Sequence, residues 1–383
     1  MPVTVTAGAM VTDRLGASAV GSGAAAGFRS LFYPSLKLGP HWFVRSGIQV
    51  STETFFPYQA YHAEYEVEPR VLQLAVGYSL ATEKASVTVQ AGHLPSAFGS
   101  FPLRYDETAN PMVDLPSSYG FYLPLRGDQL PCRVSHITRQ RNHPSYVDFY
   151  CTPTPRESYG MFPVTPYGLP AAQVDFSYRK ADARFQLTNS SPSNPQKLFS
   201  RSQNAQWSAG GGYTIHQGFR VGISAFRGPY LQDEVVASLP EGRRVRDFPA
   251  GGIGVDVQWA RGRWSANAEW QRFQFVYPRF PVSPRLGSGY AEMKAIVTPR
   301  LYAAGRFGYR RHNSIADARS TSAGPFAPDR QFYELALGWR LNRRQLLKLG
   351  YQWVASAGQA ATGENVLGFQ FVTTIPSLSK AFR

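Results

Sequence analysis

The sequence predicts an all-β fold: a transmembrane antiparallel up-and-down β-barrel of about sixteen strands, with a long third external loop. Three observations carry this prediction. Apolar and polar residues alternate with period two along almost the whole chain, short and long connections alternate strictly, and aromatic residues gather near strand ends. Alternation sends one set of side chains to each face of a sheet. A strictly alternating series of connections is what an up-and-down barrel produces when both termini lie on one side.

The alternation is explicit in four stretches. Leu72, Leu74, Val76, Tyr78 and Leu80 alternate with Gln73, Ala75, Gly77 and Ser79. Val174, Phe176 and Tyr178 alternate with Asp175, Ser177 and Arg179. Ile253, Val255, Val257 and Trp259 alternate with Gly252, Gly254, Asp256 and Gln258, and Tyr333, Leu335, Leu337 and Trp339 with Glu334, Ala336, Gly338 and Arg340. The same criterion places strands at 3–11, 28–38, 42–53, 68–80, 85–94, 171–180, 183–190, 205–215, 219–226, 251–260, 264–276, 287–298, 301–312, 331–342, 345–355 and 365–375.

Between them, short turns fall at 39–41, 82–84, 181–182, 216–218, 261–263, 299–300 and 343–344. Longer connections fall at 12–27, 54–67, 95–170, 191–204, 227–250, 277–286, 313–330 and 356–364. Residues 1–383 therefore read as one barrel domain, with 95–170 as its longest loop and expected pore constriction. The glycine-rich run Gly21–Gly27 reads as a loop tip, since no helix follows it to complete a nucleotide site.

Composition agrees. The 383 residues are 43% apolar and 14% aromatic but only 17% charged, less than a soluble domain usually carries. Sixteen strands enclose a lumen too wide for side chains to fill, so the apolar face is expected to meet lipid and the polar face water. On that reading Leu74, Val76, Phe176, Val257, Leu335, Leu337 and Leu349 contact lipid. Trp42, Trp259, Trp264 and Trp339 lie beside short turns, and Trp207, Tyr309 and Trp353 toward the opposite ends, as two interfacial belts would require. No charge-free stretch suits a membrane-crossing helix. The start, Met-Pro-Val-Thr, shows no leader-like basic and apolar regions, so for an exported chain either the leader has been removed from this sequence or its start is misplaced.

The net charge is +15, from 40 basic and 25 acidic residues, and only seven of the basic ones are Lys. Guanidinium forks suit phosphate and carboxylate. The arginines are scattered rather than clustered, which argues against nucleic acid as a partner. The lumen parity holds Arg29, Lys37, Arg45, Arg179, Arg184, Arg220, Lys294, Arg306, Arg310, Arg340 and Lys348 against Asp175, Asp256, Glu269, Glu292 and Glu334. Basic walls favour anions, although Glu292 and Arg306 fall on neighbouring strands where they could neutralise one another. The residues expected to meet passing anions are Arg45, Arg179, Arg184, Arg220, Arg306 and Arg310 in the wall, helped by Arg104 or Arg126 from the long loop.

Cys132 and Cys151 both lie in that loop. In an oxidising compartment a disulfide between them is the first reading, contributing very roughly 3 kcal/mol through the unfolded state. A zinc site from Cys132, His136, His143 and Cys151 is the alternative, though its spacing matches no compact finger. No cofactor and no catalytic motif is expected. His93, His216 and His312 fall at strand ends and read as turn or interface residues.

Residues Gln90–Gly99 resemble a stretch of bacterial porins. In the phosphate-selective porin-like group a strand ending in glycine leads into a Pro-Phe-Gly turn; here Gly92, Phe98 and Gly99 match, and Ala97 replaces the proline. The resemblance implies a Gram-negative outer-membrane diffusion channel, often a homotrimer, surrounded by lipid and lipopolysaccharide and passing small hydrophilic or anionic solutes. It also implies that the loop opened by this motif folds into the barrel as a constriction. Two other classes compete: an outer-membrane barrel enzyme acting on lipid, and a secreted soluble carbohydrate-binding β protein. An active transporter is disfavoured, because it needs a plug domain and alternation begins at residue 3.

Overall fold

The computed structural model describes residues 3–12, 24–52, 67–104, 107–119, 121, 123, 125, 127, 130, 161, 163–164, 168–189, 205–278, 280–316, 323–356 and 364–375. The strands in the first half are β1 (Val3–Thr12), β2 (Ala24–Phe32), β3 (Ser35–Leu38), β4 (Trp42–Thr52), β5 (Val67–Ala81), β6 (Ala85–Leu94), β7 (Leu169–Tyr178) and β8 (Ala181–Thr188). There follow β9 (Gln206–His216), β10 (Phe219–Pro229), β11 (Pro249–Arg261), β12 (Trp264–Phe275), β13 (Arg285–Ile296) and β14 (Leu301–His312). A small hairpin, β15 (Ser314–Ala316) and β16 (Ala323–Pro325), precedes β17 (Arg330–Arg340), β18 (Gln345–Ser356) and β19 (Glu364–Ile375).

Each wall strand pairs antiparallel with its neighbours in chain order, and β1 pairs with β19 from Val3↔Ile375 to Thr12↔Val366, which closes the sheet. β2 and β3 both pair with β4 and form one wall strand, interrupted at Tyr33 and Pro34, where proline offers no ladder donor. The wall therefore holds sixteen strands. Closure leaves no open sheet edge, which a backbone in lipid requires. Most wall strands run to 10–12 residues, the length that crosses a hydrocarbon layer when tilted. No helix among the described residues is long and apolar enough to cross a membrane.

The two faces are inverted relative to a soluble protein. Leu335 is 67% exposed, and Leu74, Val76, Phe176, Leu337 and Leu349 are also exposed on the outer face. Val257 shares that face but is half-buried. The inner face buries Gln90, Gln173, Gln186, Asp256, Glu269, Gln271, Glu292, Arg306 and Lys348. Trp42, Trp264 and Trp339 stand exposed beside the short turns, and Trp207 and Trp353 beside the long connections. This is an outer-membrane barrel, and it excludes the soluble alternative.

Three features depart from the sequence reading. β2 begins at Ala24, and Ala24–Gly27 pair with β1, so half of the glycine-rich run is wall rather than loop tip. The register shifts between Gly47 and Ile48 and skips Leu72, a bulge that separates Val71 and Leu74, both facing out. The lumen is also not polar throughout. At the ends of β10–β14 beside the long connections, Phe226, Phe273, Phe275, Leu286 and Tyr290 face inward and are buried. They form a dry core with Phe98, Tyr119, Phe121, Leu123, Val235 and Phe326 from the connections.

Candidate functional site: the loop-lined lumen

The segment after β6 turns into the barrel and follows its inner wall. Arg184 on β8 donates from Nε to the Ala97 carbonyl at 2.9 Å and from Nη2 to the Gly99 carbonyl at 2.9 Å. Gln186 donates to the Pro95 carbonyl at 2.8 Å and accepts from the Ala97 N–H at 3.2 Å. Ser224 on β10 accepts from the Gly99 N–H at 3.1 Å. Gly99 has φ +81, and a Cβ there would stand 2.2 Å from the Tyr119 hydroxyl, so only glycine makes this turn. Phe98 packs edge-on against Phe226 with ring centroids 5.0 Å apart. The porin-like motif is thus the hinge by which the loop enters the lumen.

Beyond the hinge, Glu269 on β12 is the next anchor. Its carboxylate accepts from the Ser100 N–H at 3.1 Å, the Ser100 hydroxyl at 3.2 Å and the Tyr119 hydroxyl at 2.5 Å. Arg29 on β2 pairs with Glu107, and Lys348 on β18 donates to the Glu107 carbonyl at 2.6 Å and the Met112 carbonyl at 3.2 Å. Tyr302 on β14 donates to the Pro111 carbonyl at 3.1 Å. Arg306, fully buried, bonds Glu292 at 2.7 and 3.0 Å and Glu334 at 3.3 and 3.4 Å. It also donates to the Asp114 carbonyl at 3.1 Å and the Asn110 side-chain oxygen at 3.2 Å. At Gly308 a Cβ would meet the Ser117 hydroxyl at 2.4 Å, so the wall lacks a side chain where Ser117 approaches it.

The expected anion-meeting residues therefore divide. Arg184 and Arg306 are committed to the loop, and Arg310 lies between the Phe121 and Phe332 rings at 4.1 and 4.6 Å. Arg220 grips Asp182 with contacts of 2.7–3.0 Å and reaches Asp256 at 3.2 Å. Arg179 is not on a strand: it occupies the β7–β8 turn with φ +51, exposed, its guanidinium 5.3 Å from the Tyr178 ring centroid. Arg45 alone of the six is both on the wall and exposed to the lumen; it donates to Gln90, which in turn donates to Asp175 at 2.8 Å. Arg104 ends a four-residue helical turn, Phe101–Arg104. Arg126, Cys132 and Cys151, with His136 and His143, lie outside the described residues. No group of metal-ligating side chains occurs among the described residues. Beyond the strands, burial raises the Tyr230 phenol far above its usual range.

Sequence reasoning missed Asp182, which stands one residue before the expected start of its strand. It also missed the inward aromatics Phe273 and Phe275, which share the parity of Glu269 and Gln271 and were legible from it.

No family model and no curated protein matches the chain. Solved structures do. The outer membrane channel DcaP of Acinetobacter baumannii superposes with a TM-score of 0.59 at 10% identity, over 98% of this chain and 96% of that one. An anion-selective porin from Comamonas acidovorans gives 0.52 at 8% identity, covering 98% and 99%. The trimer form of OmpT, an outer membrane protein of Vibrio cholerae, gives 0.53 at 8% identity, covering 98% of both chains. At such identities the likeness is one of fold, and the fold is that of outer-membrane channels and porins.

Proposed function

We propose that the protein is an outer-membrane porin, a passive channel for small hydrophilic solutes with a weak preference for anions. The observation that carries this reading is the pair of segments 95–104 and 107–119, bonded along the inner wall of a barrel whose strands carry a polar lumen face. A loop fixed inside a wide barrel narrows it without closing it off by a separate domain, and it sets a size limit. The polar groups it meets are bonded to one another, an arrangement suited to positioning rather than to acid–base or nucleophilic chemistry.

The anion preference rests on charge that the network does not neutralise. Lys37, Arg45, Lys294 and Arg340 share the lumen parity, and Lys37 and Arg45 are exposed. The short turns at the same end add Lys84, Arg179, Lys180, Arg263, Arg300, Arg343 and Arg344, all exposed, against Glu83. This excess attracts carboxylates and phosphates toward the turn-side mouth. The trimer form of one similar structure supports a homotrimer here, to be measured by sedimentation in detergent.

Purified protein in planar bilayers tests the reading. Ohmic single-channel steps and a reversal potential displaced toward anions in a salt gradient are expected. A protein that inserts yet conducts nothing, or one that selects cations, would overturn it.

A further inference from the structure

The outer wall carries charge where an apolar band should end. Arg272 on β12 and Arg311 on β14 both face outward and are exposed at the strand ends beside the long connections. They stand in one row, because Gly287 on β13 pairs with Arg272 on one side and Arg311 on the other. Two strand spacings separate their backbones by about 10 Å. The floor between them is empty: a Cβ built on Gly287 meets nothing within 4 Å. Arg285, exposed on the same strand two residues further out, shares that outward face. No ion pair joins any of the three to an acid among the described residues.

Below this row the chemistry changes at once. Trp270 and Tyr309 flank Gly289 one step nearer the midplane, and the Tyr309 ring covers it. Beside them a lipid-facing groove of about 760 Å³ runs over Gly305 between Phe307, Tyr333, Leu335, Tyr351 and Trp353. Stacked Tyr333 and Trp353, 5.1 Å apart, form its upper wall.

We infer that Arg272, Arg285 and Arg311 bind a phosphate group of an outer-leaflet glycolipid of the lipopolysaccharide type, with one of its acyl chains lying in the adjacent groove. Three guanidinium groups around an open glycine floor suit a phosphomonoester, which takes planar, charge-assisted hydrogen bonds. Three cations without an acidic partner among the described residues stand at the edge of an apolar face, with Arg311 5.9 Å from the Tyr309 ring centroid. A headgroup anion at that depth would neutralise them. A phosphate without acyl chains would leave the groove unused, so the lipid rather than a free ion is the occupant. The inference rests on the outer-membrane orientation, with the long connections outside, but not on what the pore conducts.

Native mass spectrometry of the detergent-solubilised protein tests it. The probes are bisphosphorylated lipid A, the same lipid dephosphorylated, phosphatidylglycerol and inorganic phosphate. The intact protein should retain bisphosphorylated lipid A, and Arg272→Gln/Arg285→Gln/Arg311→Gln together should weaken retention about tenfold or more, with the dephosphorylated lipid weak on both. Gly287→Glu, which fills the floor with an acid while the wall stays intact, should do the same and decides the matter if the triple variant does not fold. Single-channel conductance of these variants should be unchanged, which separates this site from the pore. Equal retention by the variants overturns the inference. Displacement of the lipid by millimolar inorganic phosphate would make it a free-ion site, and equal retention of phosphatidylglycerol a general anionic-lipid surface; either result overturns the glycolipid assignment.

Discussion

Two arcs of the inner wall use the same residue type in opposite ways. Along β8 to β19 and on to β2, Arg184, Arg306, Lys348 and Arg29 hold Ala97, Gly99, Glu107, Asn110, Met112 and Asp114 of the loop. On the arc from β3 to β7, Lys37 and Arg45 are exposed, and Arg45 bonds into a polar ladder through Gln90 to Asp175. On the first arc Arg29 and Arg306 are scaffold paired with carboxylates, and Arg184 and Arg306 donate to loop carbonyls. On the second arc arginine remains available to ions. A count of basic side chains on the lumen face therefore overstates the field that a solute meets.

The sharpest way to break this division is Arg306→Ala. It leaves Glu292 and Glu334 buried without their cation and frees the Asp114 carbonyl. Removing one partner from a buried charge cluster costs roughly 3–5 kcal/mol. Thermal unfolding in detergent should show the loss, and single-channel conductance should rise and become noisier as the loop detaches. Adding Glu292→Gln and Glu334→Gln should recover part of the stability but not the quiet conductance. A variant as stable and quiet as the parent would mean that the loop is held elsewhere.

The same strand supplies a contrast across the wall. Glu334 faces inward from β17, and Leu337, three residues on, faces lipid at 52% exposure. Leu337→Arg should cost about 2–4 kcal/mol if the site lies near the midplane. Urea unfolding from lipid vesicles measures it, and a cost near zero would place Leu337 at an interface.

A smaller effect is expected where wall and loop touch without charge. A Cβ at Gly308 would stand 2.4 Å from the Ser117 hydroxyl. Gly308→Val should cost about 1–3 kcal/mol through overpacking and widen the pore slightly by displacing the loop. Polymer exclusion detects the change in radius, while an unchanged radius would show that residue 117 yields without moving the constriction.

The wall was legible in the sequence because its rule is local. Each residue's face follows from its neighbours two positions away, so Leu335 and Leu337 could be assigned outward from the pentad Tyr333–Leu337 alone. The bulge at Leu72 was hidden because the residues on either side of it still alternate. The loop anchors were not legible, since Tyr119 and Glu269 lie 150 positions apart and Lys348 and Glu107 lie 241 apart. Only the closed barrel brings them together. The dry core inside the mouth left a partial signal: Phe273 and Phe275 continue the inward parity of Glu269 and Gln271, but aromatics at strand ends are also what an interfacial belt would show.

The smallest expected effect tests the division of the arcs most directly. Lys37→Gln with Arg45→Gln removes two exposed charges and breaks no ion pair seen in the structure. Arg184→Gln removes one charge that is tied to the Ala97 and Gly99 carbonyls. If exposure to the lumen decides what an ion feels, the first pair should shift the reversal potential toward neutrality by a few millivolts per tenfold salt gradient. The second should leave selectivity nearly unchanged while altering conductance through the loop. Screening gives a further handle. The field of exposed wall charges reaches about 8 Å at physiological salt and about 3 Å at 1 M, so the effect of Lys37→Gln with Arg45→Gln should be largest in dilute salt and vanish in concentrated salt. A selectivity change from Arg184→Gln that persists at 1 M would mean that an anion passes within contact distance of that guanidinium, and that the loop-bound arc conducts after all.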